Sequence, residues 1–380
     1  MKKCMLIALI TVFALVSVGA LCSAQPTYGS RIGVTNTSKK GSLLIFPLVK
    51  VSPLSEEDGN DTIITISNDY PGLVRMVCRY SVPDECYCGT VQSFTLTANQ
   101  SIAFSAKTHL DLDGNPLPKG IGAPAFPFNS EFTGELRCWA VKNNNGQENM
   151  PISWNHLSGT ATLLEGENQT WQYSAWRFAV GYGVKHGDFV LDALGSISKT
   201  IRLTGSPTTY DACPSSLIFN YIPQVQNPEA ESYGDNETEN RLTLVPCKQD
   251  CVEGGDTTVR VKFMRYDENE NDRETAACID CSDNASAYYD KSLTTKVEQP
   301  EWFTSETMVG PSGMGIVYNF PTGTCFERPT YGIPLLGVIS NKFSSPEGPI
   351  AGDTLTVHGR GQPEVLDSSG TAINEVVMTY

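Results

Sequence analysis

Basic residues are scarce in this chain. Lys and Arg number 27 against 42 Asp and Glu, a formal net charge of −15. Phosphate backbones and anionic headgroups repel such a chain, so nucleic acid is not an expected partner. Histidine is scarcer still: His109, His156, His186 and His358 are the four, each isolated in sequence. No paired-histidine zinc motif can be built from them. A Cys-x-x-Cys-His run is also missing, which excludes c-type haem attachment. The nearest approach to a nucleophile elbow is Gly310-Pro-Ser-Gly-Met314. There Met314 replaces the final glycine and Pro311 precedes the serine with no helical pattern after it. Beyond Leu21 no segment approaches 18 apolar residues, so no later transmembrane helix is expected. Helical periodicity is lacking as well.

What is present begins at the N-terminus. Lys2 and Lys3 are followed by 17 residues of apolar character from Met5 to Leu21, then by Cys22-Ser23-Ala24 before Gln25. Charge, apolar core and small residues in that order form a secretory signal, so 1–24 is read as a signal peptide of bacterial type. Seventeen residues is at the lower limit for a bilayer span, which disfavours an uncleaved anchor. Leu21, where a small residue is wanted, and Gly19, where Leu is wanted, disfavour lipidation of Cys22. The remaining 356 residues are expected to be secreted or periplasmic. The leader carries two lysines and no acid, so those residues hold 25 basic groups against 42 acidic ones, a net charge of −17.

Ten cysteines follow the leader: Cys78, Cys86, Cys88, Cys138, Cys213, Cys247, Cys251, Cys278, Cys281 and Cys325. An even number in an oxidising compartment reads as disulfides, with connectivity open. Cys247 and Cys251, with Cys278 and Cys281 beyond a gap of 26 residues, also have spacings that four thiolates around zinc can use. Disulfides are the preferred reading. Cys278-Ile-Asp-Cys281 as a redox pair is disfavoured, because no helix pattern places its first thiol at a helix N-terminus.

The chain reads as strands nearly throughout. Asp61-Thr-Ile-Ile-Thr-Ile-Ser-Asn68 is β-branched and bounded by turn residues. Val74 to Tyr80 follows the turn Asp69-Tyr-Pro-Gly72, and the two are expected to form a hairpin. Glu135 to Val141 alternates, with Leu136, Cys138 and Ala140 on one face. Thr160 to Leu164 and Trp171 to Phe178 continue the pattern. A second set comprises Leu217–Phe219, Arg241–Val245, Thr257–Met264, Gly315–Tyr318, Leu335–Ile339 and Thr354–Val357. Gln224 to Asn240 is acidic and poor in large apolar residues, a long solvated loop. Closely spaced strands with turn punctuation predict an all-β chain of two tandem β-sandwich, immunoglobulin-like domains. Their expected limits are 25–208 and 209–380, the second with long acidic loops.

Lys40-Gly-Ser-Leu-Leu-Ile-Phe-Pro47, Asp61 to Asn68, Leu96-Thr-Ala-Asn-Gln100 and Phe104-Ser-Ala-Lys107 carry a resemblance, as do Cys138-Trp-Ala-Val141, Ile152-Ser-Trp-Asn-His156, Tyr210-Asp-Ala-Cys213 and Leu242-Thr-Leu-Val-Pro246. Scattered over most of the chain, these segments resemble a group of uncharacterised secreted bacterial β-rich proteins with no established activity. The resemblance implies a secreted β architecture and no chemistry. Cys86, Cys88, Cys247 and Cys251 depart from the group's pattern.

Two acidic runs offer oxygen ligands of the kind calcium takes. Asp111-Leu-Asp-Gly-Asn115 has Pro116 where a calcium loop needs glycine, and Asp267-Glu-Asn-Glu-Asn-Asp272 has Cys278 where the closing glutamate belongs. Turns explain both more simply. His156, within Trp154-Asn-His156, is the histidine with the richest flanks, and a hydrogen-bonded structural role is its commonest explanation. Trp139, Trp154, Trp171, Tyr173, Trp176 and Phe178 read as core packing between sheets, or alternatively as a platform for sugar rings or a partner strand.

No catalytic residue and no resident cofactor is therefore expected, with zinc or calcium as minor alternatives. The reading is a disulfide-stabilised, extracytoplasmic β-sandwich protein with a structural or binding role toward another protein or a glycan. The alternative class is a secreted hydrolase acting on carbohydrate.

Overall fold

The computed structural model describes residues 33–56, 59–82, 87–118, 131–166, 169–192, 195–214, 216–221, 237–247, 249–250, 259–266, 272–279, 289–292, 313–319, 324–325, 328–329, 334–345, 348–356, 358–360 and 377–379. The leader at 1–24 lies outside them. Ile32–Tyr380 is one compact unit. Every regular element among the described residues is a strand, so the protein is all-β. None of the described residues forms a helix long and apolar enough to cross a membrane.

The first ten strands are β1 Leu43–Val51, β2 Asp61–Asn68, β3 Val74–Val82, β4 Tyr87–Leu96, β5 Ser101–Ser105, β6 Phe132–Asn144, β7 Gln147–Pro151, β8 Leu157–Glu165, β9 Gln169–Ser174 and β10 Trp176–Phe178. They build two sheets. The front sheet has the order β10-β1-β6-β3-β4, with β7 also paired to β6. The back sheet has the order β5-β2-β8-β9. Leu44, Phe46, Met76, Leu136 and Ala140 of the front sheet share a core with Ile64, Ile66, Ala161, Leu163, Trp171 and Tyr173 of the back sheet. Each large apolar side chain buried there contributes about 1.5–3 kcal/mol.

The later strands are β11 Ile201–Arg202, β12 Ser216–Tyr221, β13 Glu237–Pro246, β14 Gln249–Asp250, β15 Val259–Tyr266, β16 Asp272–Ile279, β17 Tyr289–Ser292, β18 Gly313–Asn319, β19 Thr324–Cys325, β20 Arg328–Pro329, β21 Leu335–Ser345, β22 Gly348–Thr356, β23 His358–Arg360 and β24 Val377–Thr379. Two larger sheets arise from them, β16-β15-β18-β12-β23 and β17-β13-β21-β22. Leu217, Leu242, Leu244, Val261, Leu336 and Ile339 join Leu43, Ile45, Trp139, Trp176 and Phe178 in a second core on the outer face of the front sheet. This core draws on residues from both sides of the expected boundary at 208/209.

Two buried faces explain β1, in which all nine residues are buried. Leu43 and Ile45 enter the outer core, while Leu44 and Phe46 enter the inner one. Pro47 sits in this strand, where its missing N–H cannot join the ladder. The register between β1 and β6 shifts there, between Phe46 and Val49. Tyr173 reaches across from β9 to repair the gap. Its hydroxyl accepts from Leu48 N at 3.0 Å and donates to Leu48 O at 2.5 Å. A buried backbone pair freed by a bulge needs such partners.

The hairpin expected from Asp61 to Tyr80 does not form. Strand β2 pairs with β5 and β8, whereas β3 pairs with β4 and β6. Asp69 to Leu73 instead crosses from the back sheet to the front sheet. Ile64 and Ile66 thus share the inner core with Met76 and Cys78. Alternation tells which face of a strand is buried but not which strand is its neighbour. Of the acidic segment expected as a loop at 224–240, residues 224–236 lie outside the described residues and the rest is strand. Strand β13 already begins at Glu237 and runs antiparallel to β21, with Glu239 in register with Lys342.

Among the described residues two disulfides are formed. Cys78 and Cys138 face each other across β3 and β6, with Cα atoms 4.0 Å apart. Cys213 and Cys247 join the segment after Ala212 to the end of β13. All four residues are fully buried. Beside the second bond, Arg137 Nη1 donates to Cys247 O at 3.2 Å and Nη2 to Pro246 O at 3.0 Å. Glu135, two residues earlier on the same face of β6, holds the guanidinium through both carboxylate oxygens. This fork binds the front sheet to the end of β13.

Candidate functional site

The sequence candidates separate as follows. Cys247 is bonded to Cys213, which takes its sulfur out of the four-thiolate set with Cys251, Cys278 and Cys281. Cys86, Cys251 and Cys281, and the side chains of Cys88, Cys278 and Cys325, lie outside the described residues. Asp111 Oδ1 accepts from the N–H groups of Asp113 at 3.0 Å and Asn115 at 2.7 Å, so this carboxylate closes its own turn. Of the other acidic run, 267–271 lie outside the described residues. So do 310–312, which include Ser312. All six aromatics are buried, the most exposed being Trp154 at 7%. The chain changes sheet at Ala175, which is why Trp171 and Tyr173 enter the inner core while Trp176 and Phe178 enter the outer one. Trp176 Nε1 donates to Gly337 O at 2.9 Å.

The histidines divide into two kinds. His109 is buried and stacks on Tyr80, with ring centres 5.4 Å apart. Burial pulls its pKa down to about 4. The side chain of His358 lies outside the described residues. His156 and His186, 30 positions apart in sequence, meet at one end of the sandwich with ring centres 5.1 Å apart.

That end is built by three loops. The first is the crossing from β2 to β3. Buried Asn68 organises it, donating to Gly72 O at 2.8 Å and Thr97 O at 3.0 Å and accepting from Tyr70 N at 3.2 Å. A side chain at Gly72 would lie 2.9 Å from the Tyr70 ring, so glycine lets that ring fold over the backbone. The second loop, Ile152 to His156, joins β7 to β8. Asn68 Oδ1 also receives Trp154 Nε1 at 3.0 Å, tying the two loops together. The third follows β10 and is clamped by Asn155. Its amide oxygen accepts from Val180 N and its amide nitrogen donates to Val180 O, both at 2.7 Å. Further along, Asp188 N donates to Lys185 O, closing a turn in which Gly187 takes φ +77°. That left-handed position suits glycine.

The side chains form a graded cluster. Trp154 is its buried floor. The His186 ring lies 4.3 Å from the Trp154 ring and 4.0 Å from that of Tyr70. Tyr70 meets Trp154 edge-on at 4.9 Å and lies 4.7 Å from His156. At the rim, His156 Nδ1 lies 3.1 Å from Asp69 Oδ1, and Lys40 Nζ lies 2.9 Å from Asp69 Oδ2. Burial opposes ionisation of Asp69, but the hydrogen bonds from Lys40 and His156 outweigh it and hold its pKa below the usual carboxylate value. Burial, and then the charge of His156, lower the pKa of His186. An ionised carboxylate only accepts, so the His156 nitrogen that faces Asp69, Nδ1, is the donor of this bond. The cluster therefore offers an oriented imidazole, a second imidazole and aromatic edges.

Of this cluster the sequence pointed only to His156 and Trp154. Tyr70 and Gly72 read as turn residues, and nothing near His186 marks it. Only the convergence of three loops joins them.

No known protein family matches the chain, and no curated protein matches it. Among solved structures, a glycosyl hydrolase family 2 (GH2) member from Bacteroides cellulosilyticus DSM 14838 is similar at 10% identity and TM-score 0.15, over 84% of this chain and 28% of that one. A calcium-binding mutant of Bacteroides uniformis beta-glucuronidase 2 is similar at 10% identity and TM-score 0.14, over 88% and 28%. The chain thus spans less than a third of the length of either structure. Scores at that level carry no argument about function.

Proposed function

We propose that this protein is an extracytoplasmic, disulfide-stabilised β-sandwich protein with a structural or binding role toward another protein or a glycan. The observation that carries the reading is the pair of fully buried disulfides, Cys78–Cys138 and Cys213–Cys247. Such bonds persist in oxidising compartments and are reduced in the cytosol. They lie where they stiffen the scaffold. One links neighbouring strands of the front sheet, and the other fixes the end of β13 beside Arg137. Closing loops of 60 and 34 residues, each stabilises by about 2–4 kcal/mol. A stiff scaffold with loops gathered at one end suits recognition, because the loops are held without the sheets moving. The leader read from 1–24 agrees with export.

The test is cell fractionation of the tagged full-length chain, followed by intact mass with and without reduction and alkylation. The exported protein is expected to lack the first 24 residues and to resist alkylation at Cys78, Cys138, Cys213 and Cys247 until it is unfolded and reduced. A cytoplasmic chain that keeps its leader and alkylates at these four cysteines when unfolded without reductant would refute the reading.

A further inference from the structure

We propose that His156 and His186 form a two-imidazole site for a nitrogen-preferring divalent cation of the copper and zinc class. Their spacing fits. A metal–nitrogen bond of ~2.0–2.1 Å places an imidazole centre about 3.2 Å from the ion, so two rings bound at cis or tetrahedral angles have centres about 4.5–5.2 Å apart. The observed separation is 5.1 Å, with the ring planes at 84°.

The ring orientation fits as well. Asp69 engages His156 through Nδ1 at 3.1 Å, so Nε2 is the ring nitrogen turned away from the carboxylate and left to meet an ion. A carboxylate behind a ligating histidine is the usual outer-shell arrangement, orienting the ring and raising its basicity. Lys40 Nζ takes the other carboxylate oxygen, Oδ2, at 2.9 Å. The backbone holds both rings in advance. Gly187 N donates to Ser153 O at 2.7 Å, and Ser153 N donates to Asp188 O at 2.9 Å. Ile152 and Phe189 form an antiparallel bridge beside them. The turn carrying His186 is thus stitched to the segment carrying His156, and Tyr70 and Trp154 wall the His186 ring. The backbone thus holds the two rings close together before any ion binds.

Among the described residues, no three His, Cys, Asp or Glu side chains converge on one ion. The site therefore supplies two protein ligands, and solvent or a partner's group completes the shell. Imidazole donors suit copper, zinc and nickel, whereas calcium and magnesium want oxygen. Copper(II) binds tightest by the usual order of divalent affinities. The site stands whether or not this loop end also contacts a partner.

The test titrates the purified oxidised full-length protein with Cu2+ alone, read by electron paramagnetic resonance and calorimetry. One ion with coupling to two imidazole nitrogens is expected. His156→Ala and His186→Ala should each weaken binding at least tenfold and leave one coupled nitrogen. Asp69→Asn should weaken it by about tenfold while keeping both nitrogens. If either alanine variant fails to fold, diethyl pyrocarbonate modification of the unaltered protein takes its place. Zn2+ should then protect His156 and His186 together. Absence of stoichiometric binding, binding unchanged in both alanine variants, or no joint protection would overturn the proposal.

Discussion

Replacing Tyr173 by Phe removes one oxygen atom and nothing else. That oxygen answers both the N–H and the C=O of Leu48, which the irregularity at Pro47 frees from the ladder of β1. Leu48 is 1% exposed and Tyr173 2%, so water does not reach either group without local opening. An unsatisfied buried polar group costs about 1–3 kcal/mol. Two such groups, less some relaxation and the gain from not burying the hydroxyl, give about 2–4 kcal/mol. The phenyl ring stays, so the loss has no cavity component. Equilibrium urea unfolding measures it. Tyr173→Phe should lower the midpoint with an unchanged slope, which marks a stability change rather than a change in compactness. The companion Tyr182→Phe, at a residue 81% exposed, should stay within about 0.5 kcal/mol of the parent. A Tyr173→Phe loss as small as that of Tyr182→Phe would refute the account of the bulge.

Arg137→Met removes the ion pair that offsets burial of the Glu135 carboxylate and the bonds to Pro246 O and Cys247 O; a loss of about 3–5 kcal/mol is expected in urea unfolding. Pairing it with Glu135→Leu should recover much of that loss, and an equal or larger loss in the double variant would contradict the burial argument. Acid should destabilise through His109, whose folded pKa of about 4 lies below its ordinary 6.5. With the folded value depressed, the unfolded chain binds the proton first, so stability present above about pH 6.5 is lost as pH falls toward 4, by about 3 kcal/mol in order of magnitude. His186 acts in the same direction. His109→Gln should flatten that slope between pH 6.5 and 4 in urea midpoints, and an undiminished slope would remove His109 as its cause.

Much of the local architecture was legible in the sequence. The alternation of Asp61–Asn68 and of Glu135–Val141 gave strands at β2 and β6, with Leu136, Cys138 and Ala140 together on the inner face. Burial of the six aromatics agrees with core packing, preferred over an exposed platform. Neighbour relations were not legible. The turn chemistry of Tyr70-Pro-Gly72 is the same whether the next strand returns beside β2 or crosses to the facing sheet. The second buried face of β6 was likewise hidden, since Glu135 and Arg137 look like solvent residues until β13 arrives to receive them.

The candidate site shows the same division. The sequence by itself determined the strand content, the acidic charge balance and the supply of cysteines, because each depends on composition or on residues close together in the chain. Tertiary structure alone decided that His186 meets His156, that Cys213 takes Cys247, and that Tyr173 completes a strand 125 residues away. Those pairings depend on which hydrophobic faces cover one another, and no period-two pattern encodes a partner.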